Sequence, residues 1–171
     1  MKIVLLGYMA SGKSTIGRHL ANKMYLPFID LDDYIEEQEK NTIKSIFKEK
    51  GEIYFRLIEH KYLKEILNSE TKCVLSLGGG TPCYADNMTL INKSNAISFY
   101  LQSSIKTLVK RLLKENNKRP LIASLDNEKI TEYVAKHLFE RRVFYEKANY
   151  TIKIDDKEKS EIVTELRILL H

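Results

Sequence analysis

No apolar run in the 171 residues approaches the roughly 18 needed to span a bilayer, and Met1-Lys2 leads directly into a strand-like run, so neither a membrane helix nor a signal peptide is expected. A soluble, cytoplasmic protein is the expectation. The two cysteines, Cys73 and Cys83, form neither a C-x-x-C pair nor part of a metal-ligand cluster, and both read as reduced thiols. Internal repeats and low-complexity tracts are absent. So is a basic stripe with interleaved aromatics: 28 Lys and Arg are dispersed among 23 Asp and Glu, for a net charge of +5. That pattern argues against a nucleic-acid partner and suits small phosphorylated or carboxylated ligands. Asn92-Lys93-Ser94-Asn95 lacks the aspartate of a guanine-reading N-K-x-D motif, which argues against a GTPase switch.

What the chain does contain is enough apolar residue, 43%, for one domain with a real core over 1–171. Strand-like runs near 2–6, 28–30, 72–77, 96–101 and 150–154 alternate with helical patterns near 13–24, 31–39, 43–67, 86–92, 104–115, 128–147 and 158–170. Alternation of this kind predicts an α/β fold, a parallel sheet with helices on both faces. Thr42, Asp86, and Ser160 or Asp156 are the expected helix starts.

The run Gly7-Tyr8-Met9-Ala10-Ser11-Gly12-Lys13-Ser14-Thr15 follows the apolar stretch Ile3-Val4-Leu5-Leu6 and enters a helical pattern. It is a complete G-x-x-x-x-G-K-S/T phosphate loop in its strand-to-helix context, and it predicts binding of a nucleoside triphosphate. Backbone N–H groups and the helix start cradle the anion, Lys13 lies on the β and γ phosphates, and Ser14 on Mg2+. Strand two ends in Ile29-Asp30-Leu31-Asp32-Asp33, at the carboxyl edge where open α/β sheets bind ligands. If the strand runs through both, Asp30 and Asp32 point the same way, one toward the hydration shell of Mg2+ and the other toward an acceptor hydroxyl. Asp33 is expected to cap the next helix.

Strand three runs straight into Gly78-Gly79-Gly80, which predicts a close approach by backbone or ligand. Ser76 just before them either orders metal-bound water or bonds to backbone. In Gly51-Glu52-Ile53-Tyr54-Phe55-Arg56-Leu57-Ile58-Glu59, Glu59 stands three residues after Arg56 and can orient its guanidinium, with Phe55 as an apolar wall; an exposed ion pair is the plainer alternative. Residues 115–127 break the helical pattern around Arg119-Pro120 and read as a mobile loop of the kind that closes over phosphates. Isolated arginines at 56, 111, 119 and 141 suit carboxylate or phosphate.

These elements together closely resemble shikimate kinase. The phosphate loop is shared by many nucleotide enzymes, but the Gly51-Glu52-x-x-Phe55-Arg56-x-x-Glu59 block, Gly78-Gly79-Gly80, Arg119-Pro120-Leu121 and the Arg141-to-Ala148 helix end follow in that family's order over nearly the whole chain. The resemblance implies a three-layer P-loop fold with five parallel strands in the order 2-3-1-4-5, an acceptor-binding region near 31–60 and a mobile lid near 112–125. It implies a monomer that transfers the γ-phosphoryl of ATP, with Mg2+, to the 3-hydroxyl of shikimate. Position by position, it places ATP on Ala10, Ser11, Gly12, Lys13, Ser14, Thr15, Arg111 and Arg119, with Arg111 stacked on adenine. It places Mg2+ on Ser14 and Asp30, and the acceptor on Asp32, Arg56, Gly78, Gly79, Gly80 and Arg141. Lys13, Asp32 and Arg119 are the implied catalytic residues, Asp32 as base. Asn41 stands where the family has glycine and is expected to take the left-handed turn; a shift of one residue would give the role of Arg141 to Arg142. Gluconate kinase is the nearest alternative, a nucleoside monophosphate kinase a more distant one.

Overall fold

The computed structural model describes residues 1–115 and 126–171. Its central strand, β1 (Lys2–Leu6), sends Val4 and Leu6 into one apolar cluster and Ile3 and Leu5 into another, all four without solvent contact. Alternate side chains of a strand point to opposite faces, so a strand apolar at four successive positions needs cover on both sides, as parallel sheets do. The chain continues through α1 (Lys13–Met24), β2 (Phe28–Asp30), α2 (Leu31–Glu39), α3 (Ile43–Asn68) and β3 (Cys73–Ser76). A 3-10 turn (Thr81–Cys83) follows, then α4 (Asn87–Lys93), β4 (Ala96–Gln102), α5 (Ile105–Lys114), α6 (Asn127–Tyr145), β5 (Tyr150–Lys153) and α7 (Lys159–Leu169).

The five strands pair in parallel in the order β2-β3-β1-β4-β5, which is the order the family resemblance implies. Helices α1 and α7 cover one face with Ile16, Leu20, Ile162 and Leu166. Ile35, Leu63, Ile91, Leu108 and Val134, from α2 through α6, cover the other. The result is a three-layer α/β fold in which β1 and β3 end side by side, Leu5 opposite Ser76, and β2 ends with Asp30 opposite the same Ser76. Cys73 and Cys83 are free thiols. Among the described residues no helix is long and apolar enough to cross a membrane.

Several local expectations are corrected. Strand β2 does not run through Asp32: it stops at Asp30, which caps α2 by accepting from the Asp32 amide at 3.1 Å. Asp33 is therefore not the cap but sits one turn in, exposed, 3.9 Å from Arg18. The left-handed residue after α2 is Lys40 rather than Asn41; Asn41 instead accepts from the Thr42 amide through Oδ1 at 2.9 Å. Thr42 caps α3 as expected, through the Ser45 amide. Asp86 occupies the cap position of α4 with φ 54° and makes no side-chain cap. Helix α7 starts neither at Ser160 nor at Asp156; Glu158 and Glu161 form a reciprocal capping box there. Helix α3 is not continuous, because Gly51 takes φ 83° and ψ 172°, a conformation closed to side chains, and divides it into two arms. Of the expected lid, 112–114 are the end of α5, while Arg119, Pro120 and Leu121 lie outside the described residues.

Gly17 shows how closely α1 lies on the sheet. A methyl group there would meet Cε2 of Phe28 at 2.5 Å and Cδ1 of Leu5 at 3.2 Å. Gly17→Ala should lower unfolding stability by about 1–3 kcal/mol, the usual cost of overpacking, despite the better helix propensity of alanine. Denaturant unfolding of the two proteins is the measurement, and an equal or raised midpoint would contradict the packing described.

Candidate active site

The loop between β1 and α1 is shaped by two left-handed residues, Ala10 at φ 62° and Gly12 at φ 88°. A non-glycine residue held at such an angle is a small store of strain, and loops that wrap a ligand are where such strain collects. Gly12 is the N-cap of α1 and offers no side chain to cap it, so the first-turn amides are left to an external acceptor. Lys13 folds back over the loop, its Nζ donating to the carbonyls of Gly7 and Tyr8, each at 2.9 Å, and it is 8% exposed. The loop is thus an anion cradle with a buried ammonium laid across it.

Around this loop lies a cleft of about 580 Å³, bounded by residues from Met9 to Ile16, by Asp30 and Asp32, by Gly78 and Gly79, and by Arg111, Lys157 and Lys159. Arg111 reaches it from α5, donating through Nη1 to the Ala10 carbonyl at 3.1 Å. Lys157 brings a basic group from the turn before α7, and Lys159 another from the first residue of that helix. Both belong to the run Asp155-Asp156-Lys157-Glu158-Lys159, where the family resemblance puts an adenine loop without assigning its contacts.

On the floor of the cleft Ser14 Oγ donates to Asp30 Oδ2 at 2.6 Å and lies 3.5 Å from Ser76 Oγ. Of the two possibilities for Ser76, its neighbour here is a side-chain hydroxyl of the loop. A hydroxyl and a carboxylate side by side at the loop fit a hydrated Mg2+, which takes few protein oxygens and draws the rest from water and phosphate. Among the described residues no cluster of three or more His, Cys, Asp or Glu could hold a metal ion.

The glycine run forms the opposite wall, and its bareness is what brings the polar groups together. A methyl on Gly78 would lie 3.1 Å from Asp32 Oδ1; on Gly79, 3.3 Å from the Met9 amide and 3.4 Å from Arg141 Nη1. On Gly80 it would lie 2.8 Å from Arg56 Nη2 and 3.3 Å from Arg141 Nη2. Two guanidinium groups therefore rest against one glycine. Arg56 is held by Glu59 at 2.8 Å, with Glu59 1% exposed, so the pair is not the exposed one that was the plainer alternative. Phe55 and Tyr84 stand on the Arg56 guanidinium at 5.1 and 3.9 Å. Tyr84 was not anticipated. Tyr145 donates to the Gly79 carbonyl at 2.6 Å and fixes the wall to the end of α6. Arg142, the one-residue alternative, points elsewhere, to Glu146 at 2.5 Å on the exposed side.

Burial, reinforced by Asp30 and Glu59 nearby, pushes the Asp32 carboxyl up from 3.8 to about 6, with Lys13 opposing. A carboxyl whose folded pKa is raised binds its proton more tightly in the native state, so the ionised form opposes folding above pH 6 and this penalty fades as pH falls toward 4. Asp32→Asn should therefore stabilise the protein at pH 8 by about 1–2 kcal/mol, the full shift being reduced for the water in the cleft, and the gain should shrink at pH 4.5. Thermal unfolding at the two pH values tests this; a destabilised or pH-independent variant would contradict it.

Comparison with known proteins agrees with this geometry. The family model described as "Shikimate kinase" matches residues 9–170. The chain is 51% identical over 169 residues to a shikimate kinase of Flavobacterium psychrophilum, covering 99% of this chain and 98% of that one. A crystal structure of shikimate kinase from Bacteroides thetaiotaomicron superposes with TM-score 0.92 at 34% identity, over 99% of this chain and 98% of that chain. The shikimate kinase of Acinetobacter baumannii in complex with shikimate gives TM-score 0.86 at 31% identity, over 99% and 92%. Carried over nearly its full length by motif, fold and sequence identity, this chain belongs to the shikimate kinase family.

Proposed function

We propose that this chain transfers the γ-phosphoryl group of ATP, with Mg2+, to the 3-hydroxyl of shikimate, giving shikimate 3-phosphate on the route to chorismate and the aromatic amino acids. The observation that carries this reading is a convergence on one bare glycine wall: the anion cradle and a carboxylate with a raised pKa line the cleft beside Gly78 and Gly79, and two guanidinium groups rest against Gly80. A hydroxy acid needs both kinds of partner, cations for its carboxylate and an acceptor for its hydroxyls. In this reading the protein is a cytoplasmic monomer, with no nucleic-acid or membrane partner.

The residues divide the work. Ala10 to Thr15 hold the phosphates by backbone N–H groups, and Lys13 places its ammonium where charge is greatest. Arg111 covers adenine. Mg2+, when bound beside Ser14 and Asp30, neutralises phosphate charge and helps align the transfer. Arg56 and Arg141 take the acceptor carboxylate, while Gly78, Gly79 and Gly80 let the ring lie against backbone. Asp32 accepts the proton of the attacking hydroxyl as its oxygen bonds to the γ phosphorus and the bond to the leaving ADP oxygen breaks. Arg119, outside the described residues, supplies a further cation to the phosphates. Phosphoryl transfer asks for little beyond this positioning and charge neutralisation.

A coupled assay offering shikimate, gluconate and nucleoside monophosphates should show turnover with shikimate alone; transfer to one of the others and none to shikimate would refute the reading. Lys13→Ala should lower kcat by about a hundredfold or more, as loss of a preorganised charge does, while leaving the fold intact. Arg56→Ala and Arg141→Ala should each raise the KM for shikimate far more than that for ATP, whereas Arg142→Ala, which breaks only an exposed ion pair, should change neither. Because Asp32 must be ionised to accept a proton, kcat/KM should fall as pH drops through about 6 in the free enzyme.

A further inference from the structure

Behind the glycine wall, Glu59 uses each of its oxygens once. Oε1 accepts from Arg56 Nη1 at 2.8 Å, and Oε2 accepts from the hydroxyl of Thr81 at 2.7 Å. Thr81 has no solvent contact and is the first residue after the glycine run, its amide donating to the Gly78 carbonyl at 3.1 Å. Asn87, equally buried, donates to the Thr81 carbonyl at 2.8 Å, and its Oδ1 is 2.7 Å from His60 Nδ1. The turn that carries the acceptor wall and the carboxylate that orients Arg56 therefore form one hydrogen-bonded unit.

We infer that Thr81 is a positioning residue for the acceptor clamp: its hydroxyl fixes the plane of the Glu59 carboxylate, and through it the guanidinium of Arg56, with Asn87 holding Thr81 in register. This rests on the reading of Arg56 as the partner of the acceptor carboxylate. The chemistry follows from burial. A carboxylate 1% exposed cannot turn to water for a lost donor, so without the Thr81 hydroxyl one oxygen is left unsatisfied and the carboxylate can rotate to share what remains. Arg56 then keeps its charge and loses its direction, although Phe55 and Tyr84 still hold its faces. Binding of a planar carboxylate by a planar fork is sensitive to that loss, whereas the phosphate loop, across the cleft, is not.

Thr81→Val keeps the shape and removes the hydroxyl; Thr81→Ala removes it without placing a methyl against the carboxylate and serves if the valine variant does not fold; Thr81→Ser keeps the donor. The KM for shikimate should rise about tenfold in the valine or alanine variant, with the KM for ATP within about twofold and the serine variant close to wild type. In 15N-labelled protein without acceptor, the Arg56 Nε–H resonance should be sharp in wild type and Thr81→Ser and broadened in the variants lacking the hydroxyl. An unchanged shikimate KM, both KM values rising in parallel, or an unaltered Arg56 resonance would overturn the inference. Failure of wild type to phosphorylate shikimate would instead overturn the acceptor assignment, and the Arg56 resonance would still decide whether Thr81 positions the guanidinium.

Discussion

Arg56 and Arg141 bring two positive charges against the same bare α-carbon, Gly80, and that crowding of like charge shapes the rest of the cleft. Two guanidinium groups do not stay together by mutual attraction. They are held from behind, Arg56 by the buried Glu59 and by the rings of Phe55 and Tyr84, Arg141 by the helix whose end is tied through Tyr145 to the Gly79 carbonyl. The two forks are ordered in advance, so the planar acceptor carboxylate of the proposed reaction would give up less entropy in ordering them. The missing side chains at Gly79 and Gly80 serve that end, since a first added carbon would lie 3.4 Å from an Arg141 nitrogen at Gly79 and 2.8 Å from an Arg56 nitrogen at Gly80.

The sheet order is what makes such a meeting possible. With β3 between β1 and β2, the phosphate loop, the glycine run and the Asp30 turn all leave the sheet from adjacent carboxyl ends. Nothing else is needed to bring Ser14 within 2.6 Å of Asp30, or Gly79 close to the Met9 amide. Arg56 and Arg141 reach the glycine wall on longer levers, Arg56 from the second arm of α3 and Arg141 from α6. The division of α3 at Gly51 matters here, because it frees the arm bearing Arg56 and Glu59 to follow its own axis.

The sequence was most legible where a motif is contiguous and its chemistry is carried by the backbone. The phosphate loop and the glycine run are of that kind, and the Arg56–Glu59 pair was legible from its i, i+3 helical spacing. The alternation of strands and helices was equally plain, since a short unbroken apolar run such as Ile3-Val4-Leu5-Leu6 leading into a glycine loop leaves little choice. It was less legible at chain ends of elements, where one residue decides between cap and strand: Asp30 rather than Asp33 caps α2, and a reciprocal glutamate pair rather than Ser160 or Asp156 opens α7. The contribution of Thr81 was hidden for a different reason. Threonine after a glycine turn carries no signal of its own, and its partner Glu59 lies 22 positions earlier in the chain, so only the folded geometry joins them.

Asp32 shows what this arrangement costs. Its carboxylate is withdrawn from water beside Asp30 and Glu59, which raises its pKa and makes the ionised native state less stable than an uncharged residue would. The same withdrawal leaves the carboxylate a better proton acceptor than a solvated aspartate at the same pH, since basicity rises with pKa while a value near 6 still leaves the group ionised at neutrality. Lys13 opposes that rise and is also the ammonium laid over the phosphate loop, so in the proposed reaction acceptor activation and phosphate binding would share a single charge.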